Sequence, residues 1–483
     1  MTFRLTLILI ALLSCGRCVV EAIAQESPAR SDDNLSKRVD QVIGRQMQDR
    51  RIPGLSLAIV RDGKVIKAQG YGLANVEHAA PATPETAYLL ASMTKQFTAA
   101  GILMLADEGK LSIDDPIGKY LADPPDAWKE ITIRQLLGHT AGLKDRFEED
   151  TLNGAKWRMA YSTAELYQAA RQRALDFSPG TVWQYSDQGY FLLGMIIERA
   201  SGQSYRDFLK KRIFAPLGMD ASTTIMLAEI TPHLANGYSI QGGSWVHNRR
   251  DMDFGMTSHF GIVSTVLDLA RWDTALREQR LLKPADYRLW WTPVSLNDGS
   301  RAFGPLGSYG FGWFLDKFRG HRMIYHGGAT GTAILRLPDD GLTVIVLTNL
   351  EQLAGGDADT IARRIAAIYV PGIRWLELKQ SADPDPKLTA RLKQELSNLA
   401  EGNPDLSFYS PSLANGLREN QQATQAFYSQ LGVLQEFTFC ETEMDGPDRS
   451  SYYKVKYGAI PMPVYVRYTF NDKGQIAFTL SSM

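Results

Sequence analysis

Apolar residues recur at helical spacing through "LSKRVDQVIGRQMQDR", beginning at Leu35, and this period predicts a helix. Directly after it, "LSLAIVRDGKVIKAQGYG" reads as two strand-like runs around Asp62-Gly63, a dipeptide suited to a tight hairpin. From about residue 92 to 280 the pattern is helical and loop-rich, opening with "LLASMTKQFTAAGILMLADEG", apolar nearly all round. Strand patterns return in "YGFGWFL", "MIYHGG" and "GTAILRLPDDGLTVIVLTNL", the last holding a Pro-Asp-Asp-Gly turn. The helical "TIARRIAAIYV" closes this unit near residue 370. Strands at both ends with helices between them predict one antiparallel sheet built from distant pieces, flanked by helices and carrying an inserted helical lobe. That is an α+β fold. A cleft is expected where sheet and lobe meet.

The polar, proline-containing "QSADPDPK", residues 380 to 387, reads as a connector. Beyond it come two helical patterns and four strand-like runs, around Leu434–Glu441, Ser451–Tyr457, Val464–Phe470 and Ile476–Leu480, with a turn at Asn471 to Gly474. The expected division is a leader over 1–24, a main domain over 25–372, a linker over 373–387 and a small α+β domain over 388–483. The small domain is distantly similar to cystatin-like or nuclear-transport-factor-like folds, an analogy of shape that licenses no function. Packing on the main domain or an interaction role is expected for it.

Composition narrows the classes. The chain has 483 residues, 44% hydrophobic, with a formal net charge of -1. Such a chain has ample core for two or three domains. It has no basic stripe to bind nucleic acid. The start, "MTFRLTLILIALLSCGRCVVEAIAQ", carries Arg4, an apolar run from Leu5 to Leu13 and small residues at Ala22 and Ala24, the pattern of a signal peptide. Two processing routes fit: cleavage after Ala24, or lipidation of Cys15 in the lipobox-like "LLSC". The soluble form is favoured, and either route predicts a secreted or periplasmic protein. With Cys15 and Cys18 removed only Cys440 remains, so no intrachain disulfide is expected, and Cys440 reads as a small buried hydrophobe. No H-E-x-x-H and no paired Cys/His spacing occurs, so neither metal nor cofactor is expected.

Candidate chemistry starts at Ser92 and Lys95. An isolated S-x-x-K is ordinarily a helix cap followed by a lysine whose tip reaches water. Three residues apart on a helix, however, the two side chains share a face. A lysine held among "FTAAGILML" would lose hydration, which disfavours its charged form. An uncharged amine beside a hydroxyl is a general base beside a nucleophile.

Two further stretches fall in order behind "ASMTK": Tyr185-Ser186-Asp187 before an amphipathic helix, and His326-Gly327-Gly328 on a predicted strand. Together with "LLGHTAGL", "PLGM" and "GIVSTVLDLARW", they resemble the penicillin-recognising serine hydrolases over roughly residues 35 to 370. The branch is that of class C β-lactamases, D-alanyl-D-alanine carboxypeptidases and β-lactamase-like carboxylesterases. The resemblance implies Ser92 as acylated nucleophile, Lys95 as proton acceptor or relay, and Tyr185 as the phenol serving leaving group and water. It implies an oxyanion hole from the backbone N–H groups of Ser92 and Ala329. Gly327 and Gly328 would let substrate lie close to the strand edge. His139 is expected to anchor its loop, and Met93 and Thr94 to pack.

Two departures bear on substrate. His326 stands where class C enzymes have lysine, and a histidine gripping a substrate carboxylate would act best when protonated, making turnover fall as pH rises. Asp187 stands where asparagine is usual; an ionised carboxylate accepts hydrogen bonds and cannot donate one to an acylamido carbonyl. Asp187 could equally cap the following helix, but on either reading poor β-lactam turnover is expected. The expected activity is therefore acyl-enzyme hydrolysis of an ester or (D-)peptide amide with weak β-lactam turnover. The alternative is a penicillin-binding sensor that is acylated and not released. An α/β-hydrolase is disfavoured, since no G-x-S-x-G elbow occurs. Loops 144 to 165 and 236 to 260 are expected to set specificity.

Overall fold

The computed structural model describes residues 28–143, 160–226, 228–248, 253–254, 257–304, 307–351, 356–374, 378–460 and 463–481. The leader, Cys15 and most of the loop at 144 to 165 lie outside the described residues.

The N-terminal helix α1 (Pro28–Arg50) leads into β1 (Gly54–Arg61) and β2 (Lys64–Asn75). Asp62 and Gly63 both take positive φ, 51° and 76°, the backbone that a two-residue hairpin of matching twist requires. A short β3 (Ala80–Pro81) follows, and the sheet resumes far down the chain. Its later strands are β4 (Phe303–Gly304), β5 (Gly307–Tyr309), β6 (Phe314–Phe318), β7 (His321–Gly328), β8 (Thr332–Leu337) and β9 (Leu342–Thr348). The nine strands run in the order β4-β5-β6-β7-β8-β9-β1-β2-β3. The joint between the distant pieces is the antiparallel pairing of β1 with β9, Leu57 facing Val346.

Every residue of β9 is buried. Since successive residues of a strand point to opposite faces, both faces of the sheet centre are covered. Helices α4 (Val266–Arg277) and α5 (Gly356–Tyr369) both pack on β9, and α1 packs on α5. Between the two strand groups lie α2 (Lys95–Asp107) and α3 (Asp187–Ser201), which pack together. Gly101 permits that packing: a Cβ there would approach Ile197 and Phe208 to 3.0 Å.

The C-terminal unit holds α6 (Pro386–Glu401), α7 (Pro411–Glu419) and α8 (Gln421–Gln430). A four-stranded antiparallel sheet follows, β10 (Leu434–Asp445), β11 (Asp448–Tyr457), β12 (Val464–Phe470) and β13 (Ile476–Ser481). The second helical pattern is thus two helices, broken at Asn420, whose ψ of 24° leaves the helical range. Strand β10 also runs longer than its apolar run, through the charged Glu443 and Asp445, which meet Arg319, Gly320 and Arg301 of the main domain, and β11 starts earlier, at Asp448. Cys440 is buried as a small hydrophobe, and burial pushes its thiol above the usual range.

Candidate active site

The chain enters the site through a strained step. Ala91 has φ 48°, a left-handed conformation rare for a residue with a side chain, and opens a single 3-10 turn, Ala91–Thr94, that runs directly into α2. Strand-like Ile262 clamps both ends of the turn. Its carbonyl accepts from the Leu90 N–H at 2.8 Å, and its N–H donates to Thr94 Oγ1 at 3.0 Å. Thr94 therefore does more than pack. Thr330 Oγ1 donates to the Leu89 carbonyl at 2.5 Å and Thr332 Oγ1 to the Leu90 carbonyl at 2.8 Å. These bonds bring the turn after β7, with Ala329, against the residues leading into Ser92.

Neither structural reading of Ser92 and Lys95 is realised. Ser92 caps no helix, and Lys95 has no exposure. The lysine Nζ lies 3.4 Å from Ser92 Oγ, 2.5 Å from Asp187 Oδ1 and 2.9 Å from the His259 carbonyl oxygen. An ammonium has three N–H donors, and here are three oxygen acceptors. The expectation of an amine isolated in apolar surroundings is corrected: the desolvation cost is real, but a carboxylate and a carbonyl offset it. The Gly312 loop seals the position from behind, with φ 74° and so close an approach that a Cβ would sit 2.7 Å from the Lys95 carbonyl oxygen.

Asp187 therefore faces the site. The cap of α3 is Ser186, whose Oγ accepts from the Gly189 N–H at 3.1 Å. With that post filled by its neighbour, Asp187 as first residue of the helix is free to turn to Lys95.

Tyr185 lies beside both, its ring centroid 4.6 Å from Lys95 Nζ. His139 holds it on three sides. The His139 carbonyl accepts from the Gln184 N–H at 2.9 Å, its Nδ1 accepts from the Ser186 N–H at 3.1 Å, and its ring lies 4.4 Å from that of Tyr185. Burial, then the Lys95 charge, pushes the His139 imidazole well below its ordinary range. It stays neutral, as an Nδ1 acceptor must. The loop-anchor expectation fits this geometry.

His326 departs from expectation. It is 2% exposed and packs against Phe314 and Tyr309. Burial, then the Lys95 charge, lowers its pKa to about 3. Its Nδ1 lies 2.7 Å from the Gly327 carbonyl oxygen and so carries the proton; Nε2 then accepts from the Tyr309 hydroxyl at 3.1 Å. A histidine so placed is neutral from pH 5 to 8, and the expected titrating grip on a carboxylate is overturned. Gly328 also differs in its reason for being small: a Cβ there would lie 2.1 Å from the Leu90 carbonyl oxygen. The space saved belongs to the nucleophile turn rather than to substrate, while half-buried Gly327 stays in register with Ala333.

The structure thus gathers Ser92, Lys95, Tyr185 and Asp187, with His326 behind them and Gly328 and Ala329 beside the turn. Sequence reasoning missed His259, Tyr309 and Tyr190, whose ring centroid lies 5.6 Å from Lys95 Nζ. His259 acts through a backbone carbonyl and leaves no side-chain signal. Tyr309 stands in "SYGFGWF", a stretch read only as a strand.

A family model described as beta-lactamase matches residues 39–368. Protein flp of Staphylococcus aureus strain N315 is 29% identical over 330 residues, covering 66% of this chain and 64% of that protein. Penicillin-binding protein 4* of Bacillus subtilis strain 168 is 32% identical over 310 residues, covering 60% and 66%. The chain thus spans slightly less than two thirds of the length of these curated relatives. Among solved structures, the octameric penicillin-binding protein homologue from Pyrococcus abyssi is similar with a TM-score of 0.62 and 24% identity, over 90% of this chain and 96% of that one. EstCE1, described as a hydrolase with promiscuous acyltransferase activity, has a TM-score of 0.60 and 22% identity, over 71% and 99%. At these identities the likeness to solved structures establishes the fold.

Proposed function

Because the chain belongs to the beta-lactamase family, we propose that it is a serine hydrolase that works through an acyl-enzyme on Ser92, acting on neutral esters or (D-)peptide amides with weak β-lactam turnover. The observation that carries this reading is the wholly buried Lys95 ammonium lying between the Ser92 hydroxyl and the Asp187 carboxylate. Ser92 Oγ attacks the carbonyl carbon, and its proton passes to Tyr185, which must start the step as phenolate to receive it, either directly or by a relay in which Lys95 gives one proton to the phenolate and takes the serine's. The backbone N–H groups of Ser92 and Ala329 receive the developing oxyanion. Tyr185 returns the proton to the leaving alkoxide or amine, and water then cleaves the acyl-serine by the same exchange in reverse.

The charge inventory supports the choice of substrate. Lys95 is matched by Asp187, and His326 is neutral, so neither supplies a free positive charge to hold a carboxylate. As far as these two residues decide it, substrates lacking a carboxylate are favoured. The N-terminal signal pattern supports a reaction outside the cytoplasm, by a secreted or periplasmic protein.

The test is steady-state and burst kinetics on p-nitrophenyl esters, D-amino acid amides and nitrocefin, wild type against Ser92→Ala. Turnover of esters beyond one equivalent, abolished in Ser92→Ala, is expected. A single stoichiometric burst without steady state would instead identify an acylated sensor.

A further inference from the structure

Trp183 precedes Tyr185 by two residues and is 4% exposed, its indole packed among His139, Tyr185, Tyr309 and Phe314. Its carbonyl accepts a 2.7 Å hydrogen bond from the hydroxyl of Ser412, the second residue of α7, 229 positions away in the C-terminal unit. A second brace reaches the same loop from its other end. The Asn297 side-chain amide donates to the Pro179 carbonyl at 2.9 Å, and its backbone N–H donates to the Gly180 carbonyl at 2.8 Å. Gly180 has φ 80°, and a Cβ there would lie 2.1 Å from Asn297 Oδ1. The neighbouring Asp298 is in turn paired at 2.5 Å with Lys473, from the turn between β12 and β13.

Further contacts tie the C-terminal unit to the main domain. Arg467, 1% exposed, pairs with Asp316 at 2.8 Å and donates to the Lys317 carbonyl at 2.9 Å. Arg301 pairs with Asp445 at 2.5 Å and with Asp448 at 3.0 Å. Glu443 accepts from the backbone N–H groups of Arg319 and Gly320. The loop from Ser178 to Ser186, which Ser412 and Asn297 reach, contains neither helix nor strand. Its position must therefore be held from outside, by bonds such as these.

We propose that the C-terminal domain is a positioning module for Tyr185, with Ser412 holding the tyrosine loop at Trp183 and Lys473 bracing it through Asp298 and Asn297. Ser412 and Lys473 are positioning residues and touch no substrate. The proposal rests on the proton-transfer role given to Tyr185 above. A displaced proton-transfer group slows the chemical step while ground-state binding is largely kept, so the effect falls on kcat rather than on KM.

The experiment uses the full chain with p-nitrophenyl acetate, comparing wild type, Ser412→Ala, Ser412→Thr and Lys473→Met by kcat, KM, the pH profile of kcat and melting temperature. Ser412→Ala is expected to lower kcat about five- to tenfold, the scale of one lost hydrogen bond, with KM nearly constant and a displaced pH profile. Ser412→Thr keeps the hydroxyl and restores kcat; Lys473→Met gives a smaller fall in the same direction. Wild-type kcat and pH profile in Ser412→Ala, or equal losses in the alanine and threonine variants, overturn the proposal. Should Ser412→Ala fail to fold, the exposed Lys473 carries the test, and an unchanged kcat in Lys473→Met overturns it. A wild-type protein without Ser92-dependent turnover refutes the site reading and this proposal together; active wild type with indifferent variants refutes this proposal alone.

Discussion

Lys95 and Asp187 form an ion pair in which the cation is wholly buried and the anion is not: Nζ and Oδ1 are 2.5 Å apart, with side-chain exposures of 0% and 38%. The carboxylate is the member of the pair that solvent reaches. On the function proposed above, the pair offers a substrate an acceptor rather than a donor.

Replacing that carboxylate by an amide tests the point. Asp187→Asn keeps an oxygen for Lys95, adds N–H donors and leaves the ammonium charge unmatched. Nitrocefin kcat/KM is expected to rise while thermal stability falls by about 1–3 kcal/mol, less than the loss of a fully buried pair because the carboxylate is partly solvated. Steady-state nitrocefin kinetics and denaturant melts check both; no gain in nitrocefin turnover contradicts the donor and acceptor argument.

His326 should leave no inflection in kcat/KM between pH 5 and 8. Its effect belongs to stability. A histidine whose folded pKa, about 3, lies below its unfolded value is stabilising above the unfolded pKa, and that contribution is lost as pH falls through the interval. Only the unfolded chain takes up the proton there, and so stability drops with falling pH. His139 is shifted in the same direction, so each of the two should add about 1.4 kcal/mol per pH unit to the slope below the ordinary histidine range. Urea melts from pH 7 to 4 measure the slope, and His326→Gln should reduce it by one histidine's share.

His139 is required as a neutral acceptor in a left-handed backbone, φ 60°. Asparagine tolerates that conformation and offers a side-chain oxygen. His139→Asn should retain more activity than His139→Ala, for which a fall in kcat of about 10- to 100-fold is expected as the tyrosine loop loosens. Equal losses in both would argue that the ring's stacking, not its acceptor, positions Tyr185.

Gly328→Ala should disable the site from behind. The added methyl would overlap the Leu90 carbonyl and push the nucleophile turn away from β7. Loss of Ser92 labelling in a protein that keeps its far-ultraviolet circular dichroism is the expected result.

Much of this was legible in the residues. The Asp62-Gly63 hairpin, the sheet assembled from distant strands and the gathering of Ser92, Lys95 and Tyr185 follow from local pattern and from motifs in order. What the sequence left open or misled on shares a cause. Whether Asp187 caps a helix or meets Lys95 depends on Ser186 taking the cap, and the neutrality of His326 depends on Phe314 and Tyr309 closing over it. The third acceptor on Lys95 is a carbonyl 164 residues away. Such contacts are made in space by segments far apart in the chain, and apolar periodicity carries no record of them. The break at Asn420 escaped for a local reason, since asparagine is only a weak helix breaker.

The central claim is that the Ser92 hydroxyl, beside Lys95, is the group that becomes acylated. Intact mass analysis after exposure to a fluorophosphonate probe tests it most directly. The account predicts one adduct per chain, mapped to Ser92 and absent from Ser92→Ala. An unmodified wild type, or an adduct that persists in Ser92→Ala, would contradict it.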